Sequence, residues 1–413
     1  MLALPLALLL CQEPAAPATT PPPRLIVHEW GTFLSVMGSD AVILDGVQHE
    51  EEGLPQFCHD RRQRGGFEGW LQKMETPVTY FYAPAALRAK VAVEFPAGVF
   101  THWFPRVART LPPLPPLDQK DAGGQKIVGP WQPERTPPLQ NGLLDWSEIE
   151  ILAPGDQKGE RCVFPADLKQ FTWGYARQVD ANAVRSTLSG EYEKFLFYRG
   201  LGRFHGPLAV HSAPDGKCVA RTQGRAARRL LLLQVQGDQG GYALVGDVAA
   251  DQERALQFPA ASLPLSRMVK EVHPLLAREL VAEGLYPKEA EAMVNTWERQ
   301  YFRTPGRRVL YVLDQDLTDA LIPLHVEPRP SAIKRVMVAR LECIAPEVEG
   351  EMVAWARDLA GAHQGRRDAA KQHFKALGRF TEPYLHRTAA LVRNDAAAAR
   401  AVRDLLAETV ALQ

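Results

Sequence analysis

The chain has 413 residues, of which 46% are hydrophobic, and its 48 Lys plus Arg equal its 48 Asp plus Glu. A chain of this length and apolar content can bury a large core, so we expect two domains or one large domain with an appendage. The balanced charge lacks the basic footprint of most nucleic-acid-binding proteins, so nucleic acid is not expected as a partner.

The N-terminus predicts a secretory signal peptide over residues 1–18. The first ten residues are almost all apolar but too few to span a bilayer, and Ala16-Pro17-Ala18 has the small-x-small pattern of a signal-peptidase site. We therefore expect a Pro-rich linker at 19–24 and a periplasmic, secreted or cell-surface protein with no transmembrane helix after cleavage. A lipoprotein anchored at Cys11 is the less favoured alternative, because a bulky leucine precedes that cysteine.

Cleavage would leave four cysteines, Cys58, Cys162, Cys218 and Cys343. An oxidising compartment permits disulfides, and Cys162–Cys218 is the first pair to expect because the two flank one β-rich region. Four buried free thiols are the alternative. No CxxC pair occurs, so a zinc ribbon is not indicated.

Residues 25–345 predict a mostly antiparallel, sandwich-like β body. Short β-prone runs alternate with turn residues; KVAVEF (90–95) alternates as a half-buried strand does, and LLLLQV (230–235) is apolar on both faces like a central strand. The glycines of RGLGRF (199–204) are expected in a turn. The predicted strands are Leu25–Phe33, Thr76–Tyr82, Lys90–Phe95, Glu148–Leu152, Lys194–Tyr198, Leu230–Val235, Tyr242–Val248, Arg308–Leu313 and Lys334–Cys343.

A helical excursion at about 266–302 interrupts this β pattern. Apolar residues recur there at steps of three and four, Gly284 separates two helices, and Pro274 should kink or split the first. The tail, 346–413, has helical periodicity and no strand pattern. The predicted fold class is therefore α+β with a helical tail.

His28 and Glu29 are the candidate catalytic residues. In a strand, adjacent side chains point to opposite faces, so the two cannot bind one metal together unless the backbone bends. A divalent metal could instead be held by His28, Asp60 and His102, a mixed His/carboxylate set that zinc accepts. The alternative is structural: His28 is a hydrogen-bonded strand residue, and Glu29 is a buried partner of an arginine.

A second polar cluster, GEYEKFLFYRGLGRFHG, occupies residues 190–206. Its charged residues alternate with aromatic ones, a mixture suited to binding a carbohydrate or a carboxylate, although a solvated strand has the same appearance. The candidate ligand-binding residues are Glu193, Arg199, Arg203 and His205.

The segments HEWGTF, METPVTYFY, FPAGVFTHWFP, EKFLFYRGLG and YFRTPGRRVLYVL together resemble those of an uncharacterised group of exported bacterial proteins. This resemblance implies no activity and no residue role. Residues 377–408 of the tail resemble one HEAT helix-turn-helix unit, which cannot bury its own apolar face and must pack on the body or on a partner protein.

Motifs of common enzyme classes, such as GxxxxGK[ST], GxSxG and HExxH, are missing from the sequence. We therefore expect an exported binding or scaffold protein of unknown ligand. The enzyme alternative is a divalent-metal-dependent hydrolase of an envelope polymer or carbohydrate, with His28, Glu29, Asp60 and His102 in or near its site.

Overall fold

The computed structural model describes residues 24–50, 53–61, 69–114, 140–156 and 172–411. The expected signal peptide, Cys162 and the proline-rich residues 115–139 lie outside the described residues, so the Cys162–Cys218 disulfide stays a prediction. Cys58, Cys218 and Cys343 are not bonded to one another. Within the described ranges, no helix is long and apolar enough to cross a membrane.

The secondary structure follows the predicted order of a β body, a helical insertion and a helical tail. The strands are β1 (Ile26–Met37), β2 (His59–Asp60), β3 (Gln72–Tyr82), β4 (Leu87–Phe95), β5 (Gly98–Phe104), β6 (Arg109–Leu111), β7 (Gly142–Ile151), β8 (Val184–Ser186), β9 (Tyr192–Glu193), β10 (Leu196–Gly202), β11 (Leu208–Ser212), β12 (Cys218–Thr222), β13 (Ala227–Gln236), β14 (Gln239–Val248), β15 (Glu253–Leu256), β16 (Leu263–Pro264), β17 (Gly306–Val312), β18 (Leu324–Glu327) and β19 (Ala332–Cys343). The helices are α1 (Trp173–Ala176), α2 (Leu265–Ala282), α3 (Pro287–Phe302), α4 (Gln315–Leu321), α5 (Pro346–Ala360), α6 (Gln364–Lys375), α7 (Thr381–Leu391) and α8 (Ala396–Ala411).

These strands form three sheets. The largest has ten strands in the order β16-β14-β13-β17-β19-β1-β3-β10-β5-β2; the other two are built on β18-β4-β7-β8-β9, with β6 beside β7, and on β11-β12-β15. Strands β1 and β19 run parallel, and every other pairing among the described strands is antiparallel. The α+β prediction is confirmed.

The ten-stranded sheet is covered on both faces. One face packs on the two smaller sheets, so that residues such as Phe33 and Met337 meet Val91 and Trp146 in a sandwich core. Helices α1, α2 and α3 cover part of the opposite face. The tail packs on another part of that face.

Helices α5 to α8 form a bundle with its own core, in which Phe374, Leu385 and Leu405 are buried. The bundle docks on the protein's own sheet, where Met352 and Phe380 pack with residues of β1, β5 and β10. Of the two surfaces expected for the tail, the body is therefore the one it contacts.

Pro274 does not split α2, which is continuous over Leu265–Ala282, and the proline is exposed on the helix surface. Lys270, whose carbonyl loses its helical partner at this proline, is exposed as well. The glycines of RGLGRF lie inside β10 rather than in a turn, because a Cβ at Gly200 would come within 2.6 Å of the Val99 carbonyl oxygen and one at Gly202 within 2.7 Å of Phe95.

Candidate functional site

The candidate site begins at a β-bulge between β1 and β3. Trp30 pairs with Val78 and Thr32 pairs with Glu75, so Gly31 stands opposite two residues, Thr76 and Pro77. A Cβ at Gly31 would come within 2.8 Å of the Cα of Pro77. Glycine is thus required here for the two backbones to approach. Bulges occur preferentially beside functional sites, where they redirect a side chain.

Thr76 occupies the bulge in a costly conformation. Its φ is +48°, in the left-handed region that β-branched residues rarely adopt, and proline follows it. The side chain is buried, and its Oγ1 has no hydrogen-bond partner among the described residues. Strain and an unpartnered buried hydroxyl thus coincide at one residue.

Thr76 lines a small pocket that is partly open to solvent. The pocket lies between the ten-stranded sheet, α1, α3 and residues 53–55. Most of its walls are apolar or aromatic, and the polar groups gather near the bulge. The lining residues that matter here are Trp30, Thr76, Val78, Trp173, Phe197 and Arg199.

The aromatic wall is held in place by a buried ion pair. The indole Nε1 of Trp173 donates to Oε2 of Glu193 at 3.0 Å, and Nε of Arg177 donates to Oε1 at 2.9 Å. Burial raises the pKa of Glu193, although Arg177 opposes this effect. The Trp173 ring packs 4.5 Å from the ring of Phe197, centroid to centroid. Glu193 thus orients one wall of the pocket from behind.

Two cations share one carboxylate at the polar end of the pocket. Nη1 of Arg199 lies 2.5 Å from Oε2 of Glu50, and Nζ of Lys73 lies 3.0 Å from Oε1 of the same carboxylate. Desolvation would raise the pKa of Glu50, whose side chain is still 33% exposed, but Lys73 and Arg199 lower it to about 2. Arg199 is 6% exposed, and its Nε has no partner among the described residues.

Further charges extend from this end under the tail. Glu75 pairs with Arg379 at 2.5 Å, and Glu342 accepts from both Arg308 at 2.8 Å and Arg340 at 2.6 Å. The Arg340 guanidinium lies between the rings of Tyr301 and Phe380, 4.7 and 5.6 Å from their centroids. The charged end of the pocket is therefore continuous with the seam between body and tail.

His102 lies at the outer side of this charge network, in register with Arg199 on one side and Asp60 on the other. Burial lowers the pKa of His102 to about 4; Glu50 opposes this effect, and Arg199 and Lys73 add to it. The imidazole is neutral at pH 7, so it adds no positive charge to the site.

The structure separates the residues predicted to form a catalytic or metal site. His28 and Glu29 point to opposite faces of β1, as the alternation of a strand requires. Nδ1 of His28 lies 2.8 Å from Oε2 of Glu289, whereas Glu29 pairs with Arg335 at 2.6 Å, the buried arginine pair of the structural alternative. Strands β3 and β10 lie between β1, with His28, and β5, with His102. Asp60 is beside His102. Within the described ranges, no three His, Cys, Asp or Glu residues are grouped to hold a metal ion.

The four predicted ligand-binding residues divide into two pairs. Arg199 lines the pocket, and Glu193 supports its Trp173 wall. Arg203 is exposed and lies over the ring of Trp70, and His205 is exposed as well. Sequence reasoning missed Thr76 and Trp173. The signal available for Thr76 was a threonine before a proline in METPV, in a strand pattern that elsewhere continues without interruption.

No family model matches the chain, and no curated protein matches it in sequence. Among solved structures, the Fcho1 Mu homology domain of Danio rerio with bound Eps15 peptide overlaps 78% of this chain and 97% of that one, with a TM-score of 0.29 and 6% identity. A similarity this low supports no inference about fold or function.

Proposed function

We propose that the protein is an exported binding protein that takes a small organic molecule into the pocket beside the Thr76–Pro77 bulge. The observation that supports this most directly is a set of three buried polar atoms without partners among the described residues, on side chains that line the pocket: Nε1 of Trp30, Oγ1 of Thr76 and Nε of Arg199. Leaving such a group unsatisfied costs about 1–3 kcal/mol, and a left-handed non-glycine residue costs a further 1–3 kcal/mol or so. A bound ligand would offset the first cost.

The character of the pocket favours a small molecule over a protein partner. Small-molecule sites are concave, mainly apolar or aromatic, and carry few polar groups. The pocket has this composition, and its walls come from the ten-stranded sheet, from α1 and α3, and from residues 53–55. The tail, which was the expected docking element for a partner, has its apolar side against the sheet. Binding through the pocket is therefore the better supported form of a binding function.

Export is supported by the N-terminal sequence and is compatible with the first strand. The carbonyl of Leu25 accepts from the backbone N and from Oγ of Ser331 at 2.7 and 2.8 Å, so the chain is held to the sheet from that residue onward. Cleavage after Ala18 would remove none of it. N-terminal sequencing of protein from its native host should find Thr19 first; an intact Met1 on cytoplasmic protein would end the export proposal.

The binding proposal can be tested with a fragment screen. Ligand-observed NMR on residues 19–413 should identify small aromatic fragments that bind the wild type. Ala176→Leu would fill the pocket from α1, and Tyr175→Ala, which changes an exposed neighbour, is its matched control. We expect the fragments to be lost from the first variant and kept by the second. Fragments that bind both variants equally, or no fragments at all, would contradict a ligand in this pocket.

A further inference from the structure

The helical tail contacts the residues that support the polar end of the pocket. Two of its side chains, Arg379 and Glu382, each bond to the body beside a residue that fixes part of the pocket wall. We infer that the tail positions the pocket, with Arg379 acting on Thr76 and Glu382 acting on Arg199. This inference rests on the proposed binding function and makes that function depend on the docked tail.

The first connection runs through Glu75, the residue before Thr76. Nη1 of Arg379 lies 2.5 Å from Oε1 of Glu75, and the two side chains are only 4% and 3% exposed. Burial would raise the pKa of Glu75, but Arg379 and Lys73 lower it, so the carboxylate is charged at pH 7. The Glu75 carbonyl accepts from Oγ1 of Thr32 at 3.0 Å. Glu75 is thus held by the tail at its side chain and by β1 at its carbonyl.

This support matters because Thr76 is strained. A residue in a sparsely populated backbone region keeps its conformation only where the surrounding structure fixes it. The register of β1 and β3 creates the bulge, and the bonds of Glu75 fix the residue directly before it. With Glu75 released, Thr76 would relax toward the extended conformation that is favoured before a proline, and its hydroxyl would leave its place in the pocket wall.

The second connection ends at Arg199. Oε1 of Glu382 accepts from Nε2 of Gln48 at 2.8 Å, and Oε2 lies 2.5 Å from Nε2 of His49. The next residue along the chain is Glu50, whose Oε2 lies 2.5 Å from Nη1 of Arg199. A tail carboxylate therefore fixes the two residues that precede the partner of Arg199.

The segment that includes Glu50 is held from two sides. On one side, Nζ of Lys73 donates to the carbonyl of His49 and lies 3.0 Å from Oε1 of Glu50. On the other side the chain lies directly against α7, since a Cβ at Gly46 would come within 2.7 Å of Cγ of Glu382. A displacement of α7 would therefore move this segment, and with it the carboxylate that orients Arg199.

Another tail arginine provides a matched control. Arg387 is also buried, and it pairs with Asp40 at 2.8 Å and with Glu349 at 2.7 Å. Asp40 follows the end of β1, whereas the pocket residue of that strand, Trp30, lies in its first half. Arg387 thus bonds the tail to the body at a place that belongs to neither connection.

The first test needs no ligand. Hydrogen exchange of residues 19–413, followed by mass spectrometry, compares β3 with β7, so that a general loss of stability cancels in the ratio of their rates. Arg379→Met should raise the exchange rate of β3 relative to β7 about tenfold, because release of one strained residue corresponds to roughly five- to a hundredfold in an equilibrium constant. Arg387→Met should leave this ratio unchanged.

The second test measures affinity for the aromatic fragments that bind the wild type in the screen described above. Apparent affinity falls with the fraction of molecules that hold the binding conformation, so Arg379→Met should weaken these fragments about tenfold and Glu382→Gln about threefold. Arg387→Met should change them less than about twofold. Thermal unfolding shows which variants are folded, and Glu382→Gln decides the question if Arg379→Met is not.

The outcomes separate this inference from the proposal on which it rests. An exchange ratio that is the same in Arg379→Met and Arg387→Met would overturn the positioning role and leave the pocket as a binding site. Fragments that bind Arg379→Met and Glu382→Gln as tightly as the wild type would do the same. A screen that finds no fragment for the wild type would end the binding function and this inference together.

Discussion

Strand β1 passes through two polar regions that differ in how their groups are bonded. Near its start, all four carboxylate oxygens of Glu29 and Glu289 are bonded. Glu29 accepts hydrogen bonds from Thr79, Tyr198 and Arg335. Glu289 accepts from Tyr82 and from the backbone N of Tyr286, and it also contacts His28. At the bulge further along, Thr76 and Arg199 retain atoms that have no partner in the described part of the chain.

This difference distinguishes polar groups that stabilise the fold from polar groups that are available to a ligand. Carboxylates whose oxygens are all bonded stabilise the fold and have nothing left for a ligand, whereas buried polar atoms without partners in the wall of a pocket are a cost that binding can offset. The conspicuous HE pair in the sequence therefore belongs to the structural region. Substitutions there should reduce stability and leave binding intact, and substitutions at the bulge should do the reverse.

The largest effect is expected from Arg335→Met in the bonded region. The variant leaves Glu29 buried without its counter-ion, which typically costs about 3–5 kcal/mol. Urea denaturation measures the free energy of unfolding. Arg88→Met is the control, because the Arg88–Glu148 pair is exposed and should contribute less than about 1 kcal/mol. Equal losses in the two variants would show that Glu29 does not need Arg335.

Glu289→Gln should have the next largest effect. Glutamine keeps the shape but loses the charge that His28, Tyr82 and the N-terminus of α3 all contact, so we expect a loss of about 2–3 kcal/mol. Affinity for fragments that bind in the pocket should stay within about threefold of wild type, because Glu289 does not line the pocket. A loss of binding in a folded variant would instead connect His28 and Glu289 to the site.

Much of the fold was predictable because it depends on local pattern. Alternation identified the main strands of the body, and three- and four-residue spacing identified α2, α3 and the tail helices. The parallel pairing of β1 with β19 joins segments about three hundred residues apart, and no local pattern encodes it. For the same reason the sequence could not assign Glu289 to His28, 261 residues away.

The pocket was predictable only in part. Arg199 and Glu193 stood out as charged residues among aromatic ones, but Thr76 is an unremarkable residue type, and its importance comes from its backbone conformation. That conformation arises from the register of two strands rather than from the residue itself.

His102 makes a pH-dependent prediction for the pocket region. Its pKa is lowered to about 4 in the folded protein, by burial first, with Arg199 and Lys73 adding to the effect and Glu50 opposing it; Asp60 also faces it. In the unfolded chain the pKa returns to about 6.5, so between these values the unfolded state binds more protons and stability falls as pH falls. Because His102 is only part-buried by surface area, we expect about 1–2 kcal/mol of this loss between pH 7 and 4.5.

His102→Gln should remove that part of the pH dependence, as measured by urea denaturation at both pH values. Glu50 titrates with the same sign but lower, because its pKa of about 2 confines its loss to the range below about 4.5. The two groups are thus distinguished by their pH windows. An unchanged slope between pH 7 and 4.5 in His102→Gln would show that His102 is not the group responsible.

The smallest expected change, Thr76→Gly, tests the comparison most directly because it should have opposite effects on stability and binding. Glycine adopts a φ of +48° without strain and removes the unpartnered hydroxyl, so the free energy of unfolding should rise by about 1 kcal/mol although the unfolded glycine gains entropy. Affinity for fragments that bind in the pocket should fall about tenfold, as we also expect for Thr76→Val, which loses the same hydroxyl. Thr76→Val keeps the strained backbone and so should lack the gain in stability from its relief. If Thr76→Gly is instead destabilised by 1 kcal/mol or more, the bulge is held by contacts of the threonine side chain, and the conformation is part of the fold rather than a cost retained for binding.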